Sequence, residues 1–110
     1  MGIWGLDIFD DDLASDIREE FQGYLDEGMD ENEAIDEVLS NNDNLLDEPE
    51  ECGTFILAIG SIAQENEVNN KRINKLLKDL RKKEEYWNYL KEDSKDLYEA
   101  RMDLLKELIW

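Results

Sequence analysis

A run of uncharged residues, CGTFILAIGSIAQ at positions 52–64, stands in the middle of a chain whose residues are 38% charged. Apolar side chains fill nearly all of it, which is typical of a helix that packs on several sides. A buried strand is the alternative, because Phe, Ile and Thr favour sheets, but 13 residues are long for a strand. The run is also shorter than the roughly 20 residues that cross a bilayer. We predict a central apolar helix that begins near Pro49.

On both sides of this run, apolar residues recur at spacings of three and four, the period of an amphipathic helix. The pattern predicts a helix over residues 11–27 that ends at Gly28, and a second one from a capping box at Asp30 and Glu33 to about Asn41. Residues 40–51 have the composition of a loop, and three further helices are predicted at about residues 71–83, 84–92 and 94–109. The predicted fold is all-α, a single compact domain over residues 1–110 with five or six short helices.

Charge divides the chain into two unequal parts. Residues 1–67 contain 21 acids and one base, Arg18, for a net charge of −20, whereas residues 68–110 contain nine acids and 11 bases. Such a one-sided field repels nucleic acid and anionic lipid, and it accelerates encounter with basic proteins. We therefore predict a basic protein partner, no nucleic acid and no membrane. The alternative is that the acidity only keeps a small protein in solution.

The residue types present exclude most catalytic chemistry. The sequence has no histidine and one cysteine, Cys52, which excludes Ser-His and Cys-His nucleophiles and ordinary structural zinc sites. No glycine-rich phosphate loop occurs, and none of the many carboxylate pairs stands out, so a carboxylate-based metal enzyme is a distant alternative. We predict a protein that is not an enzyme and has no cofactor. Without a disulfide pair, a signal sequence or a lipidation motif, it is expected in the cytoplasm.

Three consecutive aspartates at positions 10–12 raise the question of a metal site. A calcium-binding EF-hand loop that begins at Asp7 would need an oxygen ligand, a glycine and a glutamate at its third, sixth and twelfth positions, and other residue types stand there. We therefore predict no metal site. Asp10 or Asp11 is expected to be the N-cap of the first helix, with the other acids beside the positive end of the helix dipole.

Residues 43–51, called the acidic segment below, form the densest cluster of acids beside apolar groups. Two leucines ringed by carboxylates resemble an interface hot spot with a charged rim. The segment is therefore the predicted contact surface for the partner. Its predicted binding residues are Asp43, Leu45, Leu46, Asp47, Glu48, Glu50 and Glu51.

The opening, MGIWGLDIFDDDLASDIREEFQGYLDEG, resembles that of a small bacterial family of unknown function, whose members begin close to MGxWGxGxFxxDxAxDxxxEYxxLLxxG. The later stretch DEPEECGTFILAIGSIAQENEVNN is similar to the family's acidic loop and apolar helix, although two tryptophans of that helix are absent. The resemblance implies a small bacterial domain and brings no activity, cofactor or site. It also implies that Trp4, Phe9 and Asp12 form one unit, in which the ring packs under the first helix and the acid caps it.

The charge and the missing catalytic residue types lead to one functional hypothesis. The chain would be an immunity protein or antitoxin, from a bacterium or its phage, that covers a basic toxin domain of the nuclease type. Its carboxylates would then compete with the toxin's phosphate-bearing substrate. A phage-encoded nucleic-acid mimic that inhibits a defence protein is the nearest alternative. An acidic housekeeping domain without a toxin partner is the alternative from a different class.

Overall fold

A computed structural model describes residues 8–49 and 51–109 as an assembly of helices measuring 41 × 31 × 26 Å. Within these residues there are six α-helices, two short 3-10 helices and no strand, so the predicted all-α compact domain is confirmed. The α-helices are α1 (Asp12–Asp26), α2 (Glu31–Asn41), α3 (Cys52–Glu65), α4 (Lys71–Leu80), α5 (Glu84–Asp93) and α6 (Lys95–Ile109). The 3-10 helices are Ile8–Asp10 and Asp43–Asp47.

Helix α3 is the centre of the fold. Every residue from position 52 to 63 is buried, and helices α1, α2, α4 and α6 all pack against it. A helix surrounded in this way has no solvent side, which explains why its sequence is apolar all round. The predicted central helix is therefore confirmed. No helix in the described part of the chain is long and apolar enough to cross a bilayer.

Local signals in the sequence set the ends of the first two helices. The Asp11 carboxylate accepts a hydrogen bond of 2.9 Å from the backbone N–H of Leu13, which confirms the predicted N-cap of α1. Gly28 follows α1 with a φ of +104°, a conformation that favours glycine. At the start of α2, Asp30 and Glu33 form the predicted capping box. The chain therefore turns sharply between two well-capped helices.

Two predictions about residues 40–51 were wrong. Part of the predicted loop is the 3-10 helix Asp43–Asp47, because Leu45 and Leu46 pack half-buried against the core and draw the backbone inward. Helix α3 begins at Cys52 rather than near Pro49. The backbone N–H of Cys52 donates to the carbonyl oxygen of Glu48 at 2.9 Å, so Pro49 lies in the turn before the helix, where its fixed φ suits a turn position.

The unit implied by the family resemblance is only partly within the described residues. Trp4 lies outside them. Phe9 is half-buried against the core, and the Arg18 guanidinium lies 3.8 Å from the centre of its ring. Asp12 is the first residue of α1 and Asp11 is its cap, so the capping role implied for Asp12 is wrong.

Candidate functional site

Carboxylates dominate the exposed side chains of α1, α2 and the acidic segment. This set, called the acidic surface, consists of Asp12, Asp16, Glu19, Asp26, Glu27, Asp30, Glu31, Glu33, Asp43, Asp47, Glu48 and Glu51. The base within this part of the chain, Arg18, is already engaged, because its guanidinium contacts Glu65 and lies over Phe9. The negative charge that the sequence concentrates in residues 1–67 is therefore presented largely to solvent.

Seven of the 11 bases of the second half form a separate exposed row. It consists of Lys71, Arg72, Lys75 and Lys78 on α4 and Arg81, Lys82 and Lys83 in the turn that follows. The row meets the acidic part of the molecule at the start of α4, where Arg72 approaches Asp36 at 3.8 Å. There the buried Asn70 side chain caps α4 and donates to Asn32 at 2.9 Å and to Asp36 at 3.1 Å. The fold thus keeps the two charge types on adjacent surfaces.

Hydrogen bonds between α1 and the end of α2 hold in place the residues that immediately precede the acidic segment. The Tyr24 hydroxyl donates to Glu20 at 2.9 Å, and the Asn42 amide donates to the other oxygen of Glu20 at 3.0 Å. The carboxylate of Glu20, followed by burial, raises the pKa of Tyr24, because the neutral phenol donates to this carboxylate and a phenolate would be repelled by it. The acidic segment therefore begins at an anchored position.

The structure places the predicted binding residues in different environments. Most of the acids, namely Asp43, Asp47, Glu48 and Glu51, are exposed, whereas Leu45 and Leu46 are half-buried and Glu50 lies outside the described residues. Leu46 and Asp47 are the members of this set that line a concave surface. The opposite wall comes from residues that the sequence did not suggest, in the turn between α4 and α5.

This concave surface, called the Cys52 groove, has a volume of about 570 Å³. One wall is formed by Leu46, Asp47 and Pro49, and the other by residues 82–85. Cys52 and Tyr86 line the groove but are buried, so they form its bottom. The groove therefore has two apolar residues, Leu46 and Pro49, on one wall and charged residues on both walls.

A buried polar cluster lies behind the groove and shares Tyr86 with it. Arg101, which is only 4% exposed, donates through Nη1 to Thr54 Oγ1 at 2.6 Å and to the Tyr86 hydroxyl at 3.0 Å. Its Nη2 donates to Asp11 at 3.2 Å. One guanidinium thus links the start of α1 to α3, α5 and α6. One feature of the sequence points to this cluster, because Arg101 is a base within the apolar stripe of α6.

The groups at the bottom of the groove are held in their neutral forms. Burial raises the pKa of Tyr86, although Arg101 and Thr54 act in the opposite direction, and burial also raises the pKa of Cys52. An activated nucleophile would need a lowered pKa. The groove therefore has the features of a binding surface, namely a concave shape and charged walls, and neither Tyr86 nor Cys52 has the lowered pKa of an activated nucleophile. Among the described residues, no group of three or more potential ligands is gathered to hold a metal ion.

The raised pKa and the burial of Cys52 lead to a testable expectation. In the folded protein near pH 8, alkylation of Cys52 by iodoacetamide should be at least about tenfold slower than in concentrated urea, because both the thiolate fraction and the access are reduced. The folded-state rate should still be rising with pH where that of a free thiol has levelled off. Equal rates with and without urea would contradict the burial of this side chain.

Comparison with protein-family models, with curated proteins and with solved structures finds no match for this chain. Membership of the bacterial family that the opening resembles therefore stays a prediction.

Proposed function

We propose that this chain is a non-enzymatic acidic binding protein, an immunity protein or antitoxin that neutralises a basic, nuclease-type toxin by covering its active or substrate-binding surface. The observation that carries the proposal is the acidic surface, in which exposed carboxylates extend over α1, α2 and the acidic segment with Arg18 as the base among them. A basic protein is the partner whose charge complements such a surface.

The acidic surface is available for a partner because few of its carboxylates are neutralised within the chain. The ion pairs that involve acids of residues 8–67 join Glu65, Asp36 and Asp11 to arginines. None of these three belongs to the acidic surface as defined above. Among the described residues its carboxylates therefore have no ion pair that an external base would have to break, although Asp30 and Glu33 also form the capping box of α2.

The mechanism we infer has a long-range and a short-range part. At a distance, the field of the acidic surface steers a basic protein toward it and raises the association rate by orders of magnitude at low salt. At contact, carboxylates occupy positions where the toxin would bind the phosphates of its substrate, and the body of the domain blocks access. No chemical step by this chain is required, which agrees with the absence of histidine from the sequence.

The first experiment is the capture of the partner with the tagged full chain. At low salt the captured protein should be basic, and its association should slow as salt screens the attraction. Co-expression with a captured toxin should then restore growth of the host. Capture of a restriction or defence protein would instead favour the nucleic-acid mimic. No capture at any salt concentration would favour the housekeeping domain.

Charge-matched variants test whether the acidic surface makes the contact. One variant carries Asp16→Asn, Glu19→Gln, Asp26→Asn and Glu27→Gln; its control carries Glu92→Gln, Asp93→Asn, Glu99→Gln and Asp103→Asn, all of them exposed residues. Both remove four negative charges, so their net charges are equal. We expect the first to lower the association rate with the captured partner about tenfold and the control less than about twofold. Equal losses would mean that only net charge matters and would contradict the proposed interface.

A further inference from the structure

We propose that the Cys52 groove is the anchor site of this interaction, taking up one apolar side chain from a basic segment of the partner while the neighbouring Arg or Lys residues of that segment meet carboxylates at the groove's edge. This inference rests on the proposed function, because it assumes a basic partner. It goes further in two respects. It names the place on this chain where most of the binding energy would arise, and it names the kind of partner segment that would bind there.

An apolar anchor is needed because exposed ion pairs contribute little on their own and are weakened by salt. Tight interfaces usually depend on a few side chains that become buried in pockets near their centre. The Cys52 groove meets this requirement. Its volume of about 570 Å³ accommodates an aliphatic or aromatic side chain with part of the backbone, and Leu46 and Pro49 supply apolar contact above the buried Cys52 and Tyr86.

The charges around the groove favour a basic segment. Asp47 stands on one wall, and Glu84 and Glu85 stand on the other. Glu48 and Glu51, which adjoin the first wall in the sequence, are also exposed. Two ammonium groups, Lys82 and Lys83, line the groove and the exposed Arg81 adjoins them, so acids outnumber bases here by five to three. The carboxylates can accept from guanidinium or ammonium groups of a bound segment, and the two lysines can donate to its main-chain carbonyl oxygens.

The bottom of the groove is formed before any partner arrives. The Tyr86 hydroxyl is held by Arg101 and Thr54, and its ring lies against Gly53. The next residue, Trp87, donates from its indole nitrogen to the Leu80 carbonyl oxygen at 2.8 Å, which fixes the start of α5 against the end of α4. A preformed pocket loses little conformational entropy on binding, so its apolar contact area contributes more fully to affinity.

Three blocked pentapeptides test the inference by NMR titration of the full chain at low salt. The probe is Gly-Arg-Leu-Arg-Gly, the second peptide replaces its leucine by glycine, and the third replaces both arginines by glutamate. We expect the probe to shift the amide signals of Leu46, Cys52 and Lys83 and to bind about tenfold more tightly than the peptide without leucine. The glutamate peptide should bind more weakly than either arginine peptide.

Neighbouring residues provide matched control variants. Leu46→Asn should abolish the advantage of the leucine peptide and Leu45→Asn should retain it, because both leucines are half-buried but Leu46 is the one that lines the groove. If Leu46→Asn unfolds the protein, as judged by circular dichroism, the pair Asp47→Asn and Asp43→Asn replaces it. Asp47→Asn should then weaken binding of the probe more than Asp43→Asn does, and equal effects would overturn the inference.

The outcomes separate this inference from the proposed function. If both arginine peptides bind equally and shift signals across α1 and α2, the groove is not an anchor site, while an acidic interface still stands. If neither arginine peptide binds even at low salt, the acidic surface has no affinity for basic segments, and both the proposed function and the anchor site lose their support.

Discussion

Replacing Arg101 by methionine should lower the free energy of unfolding by about 3 kcal/mol, which urea denaturation followed by circular dichroism would measure. Methionine fills much of the same space but leaves Asp11 without its base and Thr54 and Tyr86 without their shared donor. Removing one partner of a buried ion pair is costly because the other charge remains in a poorly hydrated site. The Asp11 side chain is 35% exposed and regains some hydration, which places the expected loss at the lower end of the known range.

Arg18→Met is the matched control for this substitution. Arg18 also forms an ion pair, with Glu65, but the two side chains are 43% and 52% exposed, so the expected loss is below about 1 kcal/mol. Asp11→Asn keeps a capping side chain and removes the charge, and its effect should not add fully to that of Arg101→Met if the two residues interact. Equal stability losses for Arg101→Met and Arg18→Met would contradict the central role of the buried cluster.

The cost expected for Arg101→Met is large compared with the stability of a small domain, which is typically about 5–15 kcal/mol. The cluster joins the cap of α1 to α6 across 90 residues of sequence. It also fixes Tyr86, which forms the bottom of the Cys52 groove. A partial loosening of the cluster would therefore change both the global stability and the shape of the groove. Binding measurements on Arg101 variants should be compared only after their folding has been verified.

Features of the fold that depend on contacts between residues close in sequence were predicted correctly, and the errors concern features that depend on contacts between distant residues. The N-cap at Asp11, the turn at Gly28 and the capping box at Asp30 are made within a few residues, and each was predicted correctly. The errors at residues 43–51 arise where tertiary contact overrides local preference. The half-buried position of Leu45 and Leu46 draws a polar segment into a 3-10 helix, and periodicity carries no information about that burial.

The candidate site was harder to predict from the sequence than the fold was. The sequence indicated the acidic segment, but the opposite wall of the groove comes from residues 82–85, which periodicity cannot place next to Leu46. The position of Arg101 among leucines signalled that this base has a buried partner. It did not indicate which of the 30 acids provides that partner. Contacts between distant parts of the chain require the three-dimensional arrangement of the helices.

Gly53→Ala should be the other strongly destabilising substitution, with an expected loss of about 3 kcal/mol in the free energy of unfolding. A Cβ atom at Gly53 would overlap the ring of Tyr86, and that ring is held from its far end by Arg101 and Thr54. Helix propensity alone would predict the opposite sign, because alanine is favoured over glycine by about 1 kcal/mol in a helix interior and by less in the first turn, where Gly53 lies. The sign of the measured change therefore decides which effect is larger at this position.

Gly23→Ala provides the matched control in α1. Gly23 is also inside a helix, but a Cβ atom there would meet no other atom within 4 Å, so the substitution should stabilise the protein by about 0.5–1 kcal/mol.

Double-mutant analysis then identifies the cause at Gly53. If the Tyr86 ring is responsible, Gly53→Ala should cost much less in a Tyr86→Ala background than in the original chain. Purely additive effects would mean that the two residues do not collide, and the close contact between α3 and α5 would have to be abandoned. Because that contact also shapes the bottom of the Cys52 groove, Gly53→Ala should weaken binding of the leucine peptide even under conditions where the variant remains folded.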